Sequence, residues 1–238
     1  MKDYFNQLST KALQYGTVND GKDFSERLSF LLELVENSVG NDHPLAGIQA
    51  TPIPQKKPGI FLLGANPKSA QLAANLRISY VFDKFINSDD RVLEEAENVY
   101  RDSFPNGKFI ISLAVIAAPT QIEAEELAGE RKIVKVHLQS GRSVTLQSLE
   151  QAEAFGKQAS EPYEITEQEA DIIAGTPNYV KGILGKLQKT HQVDEFILHT
   201  PIEKEEEERF QSFHLLSPLY FKGEIGRKIT EHEEFITK

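Results

Sequence analysis

Residues 59–82 read GIFLLGANPKSAQLAANLRISYVF, and this stretch decides the fold. Ile60 to Leu63 is a short apolar run, Pro67 to Leu76 an alanine-rich amphipathic run, and Ile78 to Phe82 a second apolar run. Strand, helix, strand with short connections predicts a βαβ unit, with parallel strands and a right-handed crossover. The intervening Gly64-Ala65-Asn66-Pro67-Lys68-Ser69 supplies a helix start: Asn66 as N-cap, Pro67 at the first helical position, Ser69 in the first turn. Such a helix start at the carboxyl end of a strand offers unpaired N–H groups and the positive end of the helix dipole, a setting suited to an anion. The same residues would also serve as an ordinary helix start and nothing more.

Toward the amino terminus, Asp23-Phe24-Ser25-Glu26 has capping-box spacing and opens a helix with Phe24, Leu28, Leu31, Leu32 and Val35 at helical intervals. A loop rich in proline and glycine, Gly40 to Gly59, joins it to the βαβ unit. Toward the carboxyl terminus a helix is expected over Arg91 to Phe104. Phe109 to Ala118 follows, a near-continuous apolar run that suits a strand buried on both faces.

From Thr120 to Gln139 the signals conflict: Val134, Val136 and Leu138 alternate, whereas Gln121 to Leu127 reads as helix, and helix is the expectation for the whole stretch. Residues 141–165 are polar and irregular, a lid or long loop. Helices Thr166 to Ala174 and Pro177 to Lys189, strand Glu195 to His199, helix Glu203 to Leu216 and a tail over 218–238 complete the reading. Glu205 to Glu208 forms the solvated first turn of that last helix. Four strands separated by helices give an α/β class, and four do not close an eight-stranded barrel, which typically takes about 250 residues.

The chain has 238 residues, 39% hydrophobic and 26% charged, enough for one sizeable domain. A net charge of −10 with no Lys/Arg block disfavours nucleic acid as partner. Absence of cysteine removes disulfides, thiolate metal sites and cysteine catalysis. Met1 to Asn6 has no apolar segment, and Ile110 to Ala118, the longest apolar stretch, is far short of the roughly 20 residues that cross a bilayer, so a cytoplasmic protein with no membrane partner is expected.

The six histidines lack His-x-x-x-His or His-Glu-x-x-His spacing, and no metal site is expected. His199 alone stands at the carboxyl end of a strand. Gly-x-Ser-x-Gly, Walker A and Gly-x-Gly-x-x-Gly stretches are all absent. A second cap, Gly175-Thr176-Pro177, enters from the helix expected over Thr166 to Ala174 and leads toward the amino end of a strand, so Thr176 is assigned a structural role.

Three blocks carry a family resemblance: Phe61 to Ala73 with the following Tyr80-Val81-Phe82-Asp83-Lys84-Phe85; Gly175-Thr176-Pro177; and Asp194-Glu195-Phe196-Ile197-Leu198-His199-Thr200-Pro201 before a helix holding Arg209, Phe213 and Leu216. In order and spacing they resemble the luciferase-like flavin-dependent monooxygenases, over about Asp23 to Leu216. The resemblance implies a TIM-barrel-like (β/α) fold, apparently incomplete, whose four parallel strands correspond to the second half of a (β/α)8 barrel within one domain, 1–238. It also implies FMN, reduced by a flavin reductase partner, O2 and a small-molecule organic substrate.

Gly64, Ala65, Asn66 and Ser69 would then cradle the FMN phosphate, and Phe82 with Phe85 would wall the ring. Relatives carry histidine where Lys84 stands, and the family's Glu-His-His motif is absent from this sequence, so no catalytic residue is assigned. Two functional classes follow. One is an FMN-dependent monooxygenase. The other is a half-barrel that binds flavin weakly or not at all. In either, a homodimer or partner chain would complete the barrel and cover its open edges and apolar inner face.

Overall fold

The structure, a computed structural model, describes residues 24–141, 143–146, 148–159, 161–202 and 206–221. Two compact units divide the chain, Met1–Phe61 and Leu62–Lys238. The first contains α1, Phe24–Glu36, whose Phe30 is buried and stacks on His43. Asp23, the expected cap, lies outside the described residues.

The βαβ unit forms as read: β1, Phe61–Gly64; α2, Pro67–Asn75; β2, Ser79–Asp83. There follow α3, Asp90–Ser103, with Asp89 as N-cap, and β3, Phe109–Ala117, buried along its whole length. Burial on both faces explains its unbroken apolar sequence. β2 pairs with β3 in parallel, Tyr80 opposite Phe109 and Asp83 opposite Ser112. β8, Glu195–His199, pairs in parallel with the other edge of β3, Ile110 opposite Glu195. The order β1, β2, β3, β8 is thus the sequential one expected for part of a barrel.

A fifth strand, absent from the sequence reading, completes this sheet. β7, Ile172–Gly175, runs parallel to the carboxyl half of β3. Ala114 partners both Ile172 and His199, so β7 and β8 occupy opposite edges of β3, and β7 continues the edge that β2 leaves. Among the described residues β1 and β8 each have one strand neighbour, and the sheet is open.

Between β3 and β7 the chain departs most from expectation. The helix foreseen from Thr120 to Gln139 is two elements: α4, Gln121–Ala128, with a complete Thr120/Glu123 capping box, and β4, Lys132–Leu138. Gly129, at φ 56°, ends the helix in a conformation that favours glycine, and the alternation of Val134, Val136 and Leu138 then governs. The stretch read as a lid or long loop, 141–165, holds β5, Ser143–Leu146, α5, Leu149–Gln158, and the start of β6, Tyr163–Glu169.

The helix expected over Thr166 to Ala174 does not form. β6 pairs antiparallel with β4 over seven residues, and β7 belongs to the parallel sheet, so Gly175-Thr176-Pro177 follows the carboxyl end of a strand and not a helix, contrary to the expectation on which the structural role of Thr176 rests. β5 flanks the other side of β4, giving a second, three-stranded antiparallel sheet. Val134, Val136 and Leu138 turn one face of it onto Ala152 and Phe155 of α5.

α6, Pro177–His191, and α7, Glu206–Phe221, close the fold. Ser212 of α7, fully buried, accepts the N–H of Ala117 at 2.8 Å, where β3 has outrun β8. Of the tail 218–238, residues 218–221 belong to α7 and the remainder lies outside the described residues.

Candidate functional site

The turn after β1 is held from several sides. Asn66 caps α2 as expected, its Oδ1 accepting the N–H of Ser69 at 3.0 Å. Ser69 Oγ donates to the carbonyl of Asn66 at 2.7 Å and lies 2.9 Å from the Tyr80 hydroxyl, which also donates to that carbonyl at 3.2 Å. A Cβ on Gly64 would collide with the Ser69 hydroxyl, so glycine lets α2 seat directly on the end of β1. Asn87, in the loop after β2, donates to the Ala65 carbonyl at 3.0 Å and ties the two carboxyl-end loops together.

Of the first-turn amides, Pro67 has none, Ser69 is capped by Asn66, and Ala70 bonds the Asn66 carbonyl at 3.3 Å. Lys68 N–H remains at the helix start, beside its own exposed ammonium and the exposed Asn66. The open rim of the turn therefore fits an anion through the Asn66 and Lys68 groups and the helix dipole. Ser69 and Gly64 form its floor rather than its rim. Burial pushes the Tyr80 phenol above its ordinary range, against the opposing effect of its bonds with Ser69 and Asn66, so it stays a neutral donor beneath the turn.

Phe82 is fully buried. Side chains alternate along β2, and Tyr80, two residues earlier, faces Tyr100 of α3 at 5.8 Å between rings. Phe82 therefore belongs to the helix-covered core and does not wall the turn. Phe85 is half-buried, and its ring meets His199 edge-on at 5.0 Å, joining the carboxyl ends of β2 and β8. Beside His199, the buried Thr200 hydroxyl has no partner among the described residues.

Phe85 lines a cleft of about 870 Å³ with Leu127, Ile133, Thr145, Leu146 and Pro201. One wall comes from the carboxyl end of the parallel sheet and α4, the other from the antiparallel sheet. Gln168 on β6 reaches across to the Ile86 carbonyl at 3.5 Å.

Lys84 is 12% exposed and binds Asp171 at 2.9 Å, Asp90 at 3.0 Å and the Ser88 carbonyl at 3.2 Å. Burial alone would lower its pKa, but the Asp171 and Asp90 carboxylates outweigh that and hold it above the ordinary lysine range. It locks β2 to β7 as a fixed charge. His199 and Phe85 were legible as residues of interest; Tyr80 and Asn87 were not, because a strand tyrosine and a loop asparagine carry no local signature of a distant bond.

No protein-family model matches the chain. It is 40% identical over 214 residues, 89% of its length, to the N-acetyl-S-alkylcysteine monooxygenase of Bacillus subtilis strain 168, and 32% identical over 79% of its length to the uncharacterised YceB of the same organism. The chain is a relative of the luciferase-like flavin-dependent monooxygenases. It spans 64% and 58% of the lengths of those two proteins. Among solved structures, apo-MsnO8 superposes with a TM-score of 0.60 at 23% identity over 90% of this chain and 64% of that one. That match shows the fold alone: parallel strands alternating with helices as in part of a TIM barrel, with no barrel closure among the described residues. No helix among the described residues is long and apolar enough to cross a membrane.

Proposed function

We propose that this chain takes part in FMN-dependent monooxygenation of a small organic thioether of the N-acetyl-S-alkylcysteine type, using O2 and flavin reduced by a separate reductase. The single observation that carries the reading is the braced turn 64–69 at the carboxyl end of β1, beside the loop that leads to Phe85 and the cleft. Asn66 and Lys68 would hold the FMN phosphate. Ser69 and Gly64 keep that rim in shape through Tyr80, and Ala65 does so through Asn87. Reduced flavin, when bound, supplies the oxygen-activating chemistry. The chain's own contribution is to anchor the phosphate, to offer Phe85 and His199 as an aromatic wall, and to place the organic substrate in the cleft away from bulk water.

Ile197, on the sheet face opposite Tyr80, is 44% exposed, and Leu63 of β1 is 56% exposed. This supports a second chain, a like copy or a partner, covering that face.

An FMN titration followed by flavin fluorescence quenching tests the site. Ser69→Ala is expected to weaken FMN by about 1 kcal/mol, through the Asn66 rim that the serine's neutral bonds hold in shape. Thr176→Ala, at the cap of α6 just after the carboxyl end of β7, removes a side chain that shares no hydrogen bond with the turn among the described residues, and is expected to leave affinity unchanged. Equal effects reject the assignment, and absence of FMN binding by the wild type favours the module that binds flavin weakly or not at all.

A further inference from the structure

One face of β4 is spent on α5; the other carries Ile133, Lys135 and His137. His137 is engaged on both ring nitrogens, Nε2 with Thr166 at 2.9 Å and Nδ1 with Ser143 at 3.2 Å. Lys135 is not engaged in that way. Its Nζ donates to Gln168 Oε1 at 3.3 Å, and among the described residues no carboxylate pairs with it. Gln168 in turn bonds the Ile86 carbonyl, next to Phe85. The cross-strand neighbour of Lys135 on β5 is Thr145, and its same-face neighbour on β4 is Ile133; both are in the wall of the 870 Å³ cleft, so Lys135 stands at the edge of that wall, outside the lining itself.

An ammonium that is partly withdrawn from water and given only a neutral amide is costly unless an anion completes it. The other cations of the cleft are already in use: Lys132 pairs with Glu167 at 3.1 Å, and Arg131 Nε donates to the Ala128 carbonyl at 3.0 Å. Glu126 and Glu130 also line the cleft, but both are exposed to solvent and belong to α4 and the loop after it, not to β4, β5 or β6.

We propose that Lys135 is the anion-recognition residue of the substrate cleft, binding the carboxylate of an amphiphilic organic acid whose apolar part lies against Phe85, Leu127, Ile133 and Leu146. This rests on the proposed monooxygenase reading and names the substrate feature that the antiparallel sheet selects. Burial lowers the pKa of Lys135 from its ordinary value, the direction expected for a cation whose counter-ion arrives with the ligand.

The test is calorimetric titration of the full chain, with and without FMN, using N-acetyl-S-benzylcysteine and its uncharged carboxamide as probes. Wild type is expected to prefer the acid by about tenfold or more. Lys135→Met should abolish that preference, Lys135→Arg should retain most of it, and Lys157→Gln, in an exposed ion pair of α5 outside the cleft, should leave it unchanged. FMN affinity and the melting temperature should not move with Lys135→Met. An undiminished preference in Lys135→Met, equal binding of acid and amide by wild type, or binding of neither probe overturns the proposal. A preserved acid preference in a chain that does not bind FMN would instead reject the flavin reading and leave Lys135 in its role.

Discussion

The parallel and antiparallel sheets of this chain do different work with different sequences. In the parallel sheet, β3 is buried on both faces and its apolar run is unbroken. Its strands serve as a rigid platform whose carboxyl ends present loops. The antiparallel sheet is apolar on one face only, toward α5, and its other face is polar and stands over the cleft. A strand covered on both sides has no side chains left over for recognition, whereas a strand covered on one side does. The braced turn thus belongs to the first sheet and the unneutralised lysine to the second.

Core truncations probe that contrast with the largest effects. Phe109→Ala, removing a fully buried ring packed on Tyr80 and Tyr100, is expected to cost about 3 to 5 kcal/mol. Leu138→Ala, in the one-faced sheet, is expected nearer to about 2 kcal/mol, since the open edges of β5 and β6 let the site collapse. Urea unfolding of both variants decides it, and a larger loss at Leu138 would reverse the comparison.

The alkaline limit of stability belongs to the parallel sheet as well. Burial raises Tyr80, and it raises Tyr100 from its ordinary 10.0 to about 12. The unfolded chain therefore ionises these phenols first. The stability they confer is complete below pH 10 and is lost as pH rises from 10 through about 12. Unfolding free energies at about pH 9 and about pH 11 should show this fall. Tyr100→Phe, which also gives up the 2.9 Å bond to the Ile78 carbonyl, should flatten it.

The smallest expected effect separates the two proline-started helices. Thr176 accepts the Tyr179 N–H at 3.4 Å, a long bond, so Thr176→Ala should lower stability by only about 0.5 kcal/mol. Ser69→Ala breaks two shorter contacts and should cost about 1 kcal/mol more than that. Thermal melts of the two variants rank them.

Legibility in the sequence follows the same division. Local rules sufficed for β1, α2, β2, β3 and β8, where short apolar runs and a capped amphipathic helix alternate with turn residues, and where β3 is uniformly apolar. They failed from Glu130 to Ala174. There Tyr163 to Glu169 contains four acidic residues or glutamines that suit a helix, yet seven backbone pairs with β4 hold it extended. Cross-strand pairing of this kind has no local trace. At the site, the Asn66 cap was readable, since capping is local. The inward turn of Ser69 onto Tyr80, the tie from Asn87 and the burial of Phe82 depend on which face of β2 the helices cover, which only the assembled sheet determines.

The central claim is that the turn 64–69 binds a phosphate. Its most direct measurement compares FMN with riboflavin, which lacks the phosphate, by fluorescence titration on the wild type and on Lys68→Gln. Wild type should bind FMN at least about tenfold more tightly than riboflavin, and Lys68→Gln should reduce that preference while riboflavin affinity stays the same. Equal affinity for the two flavins in the wild type would contradict it.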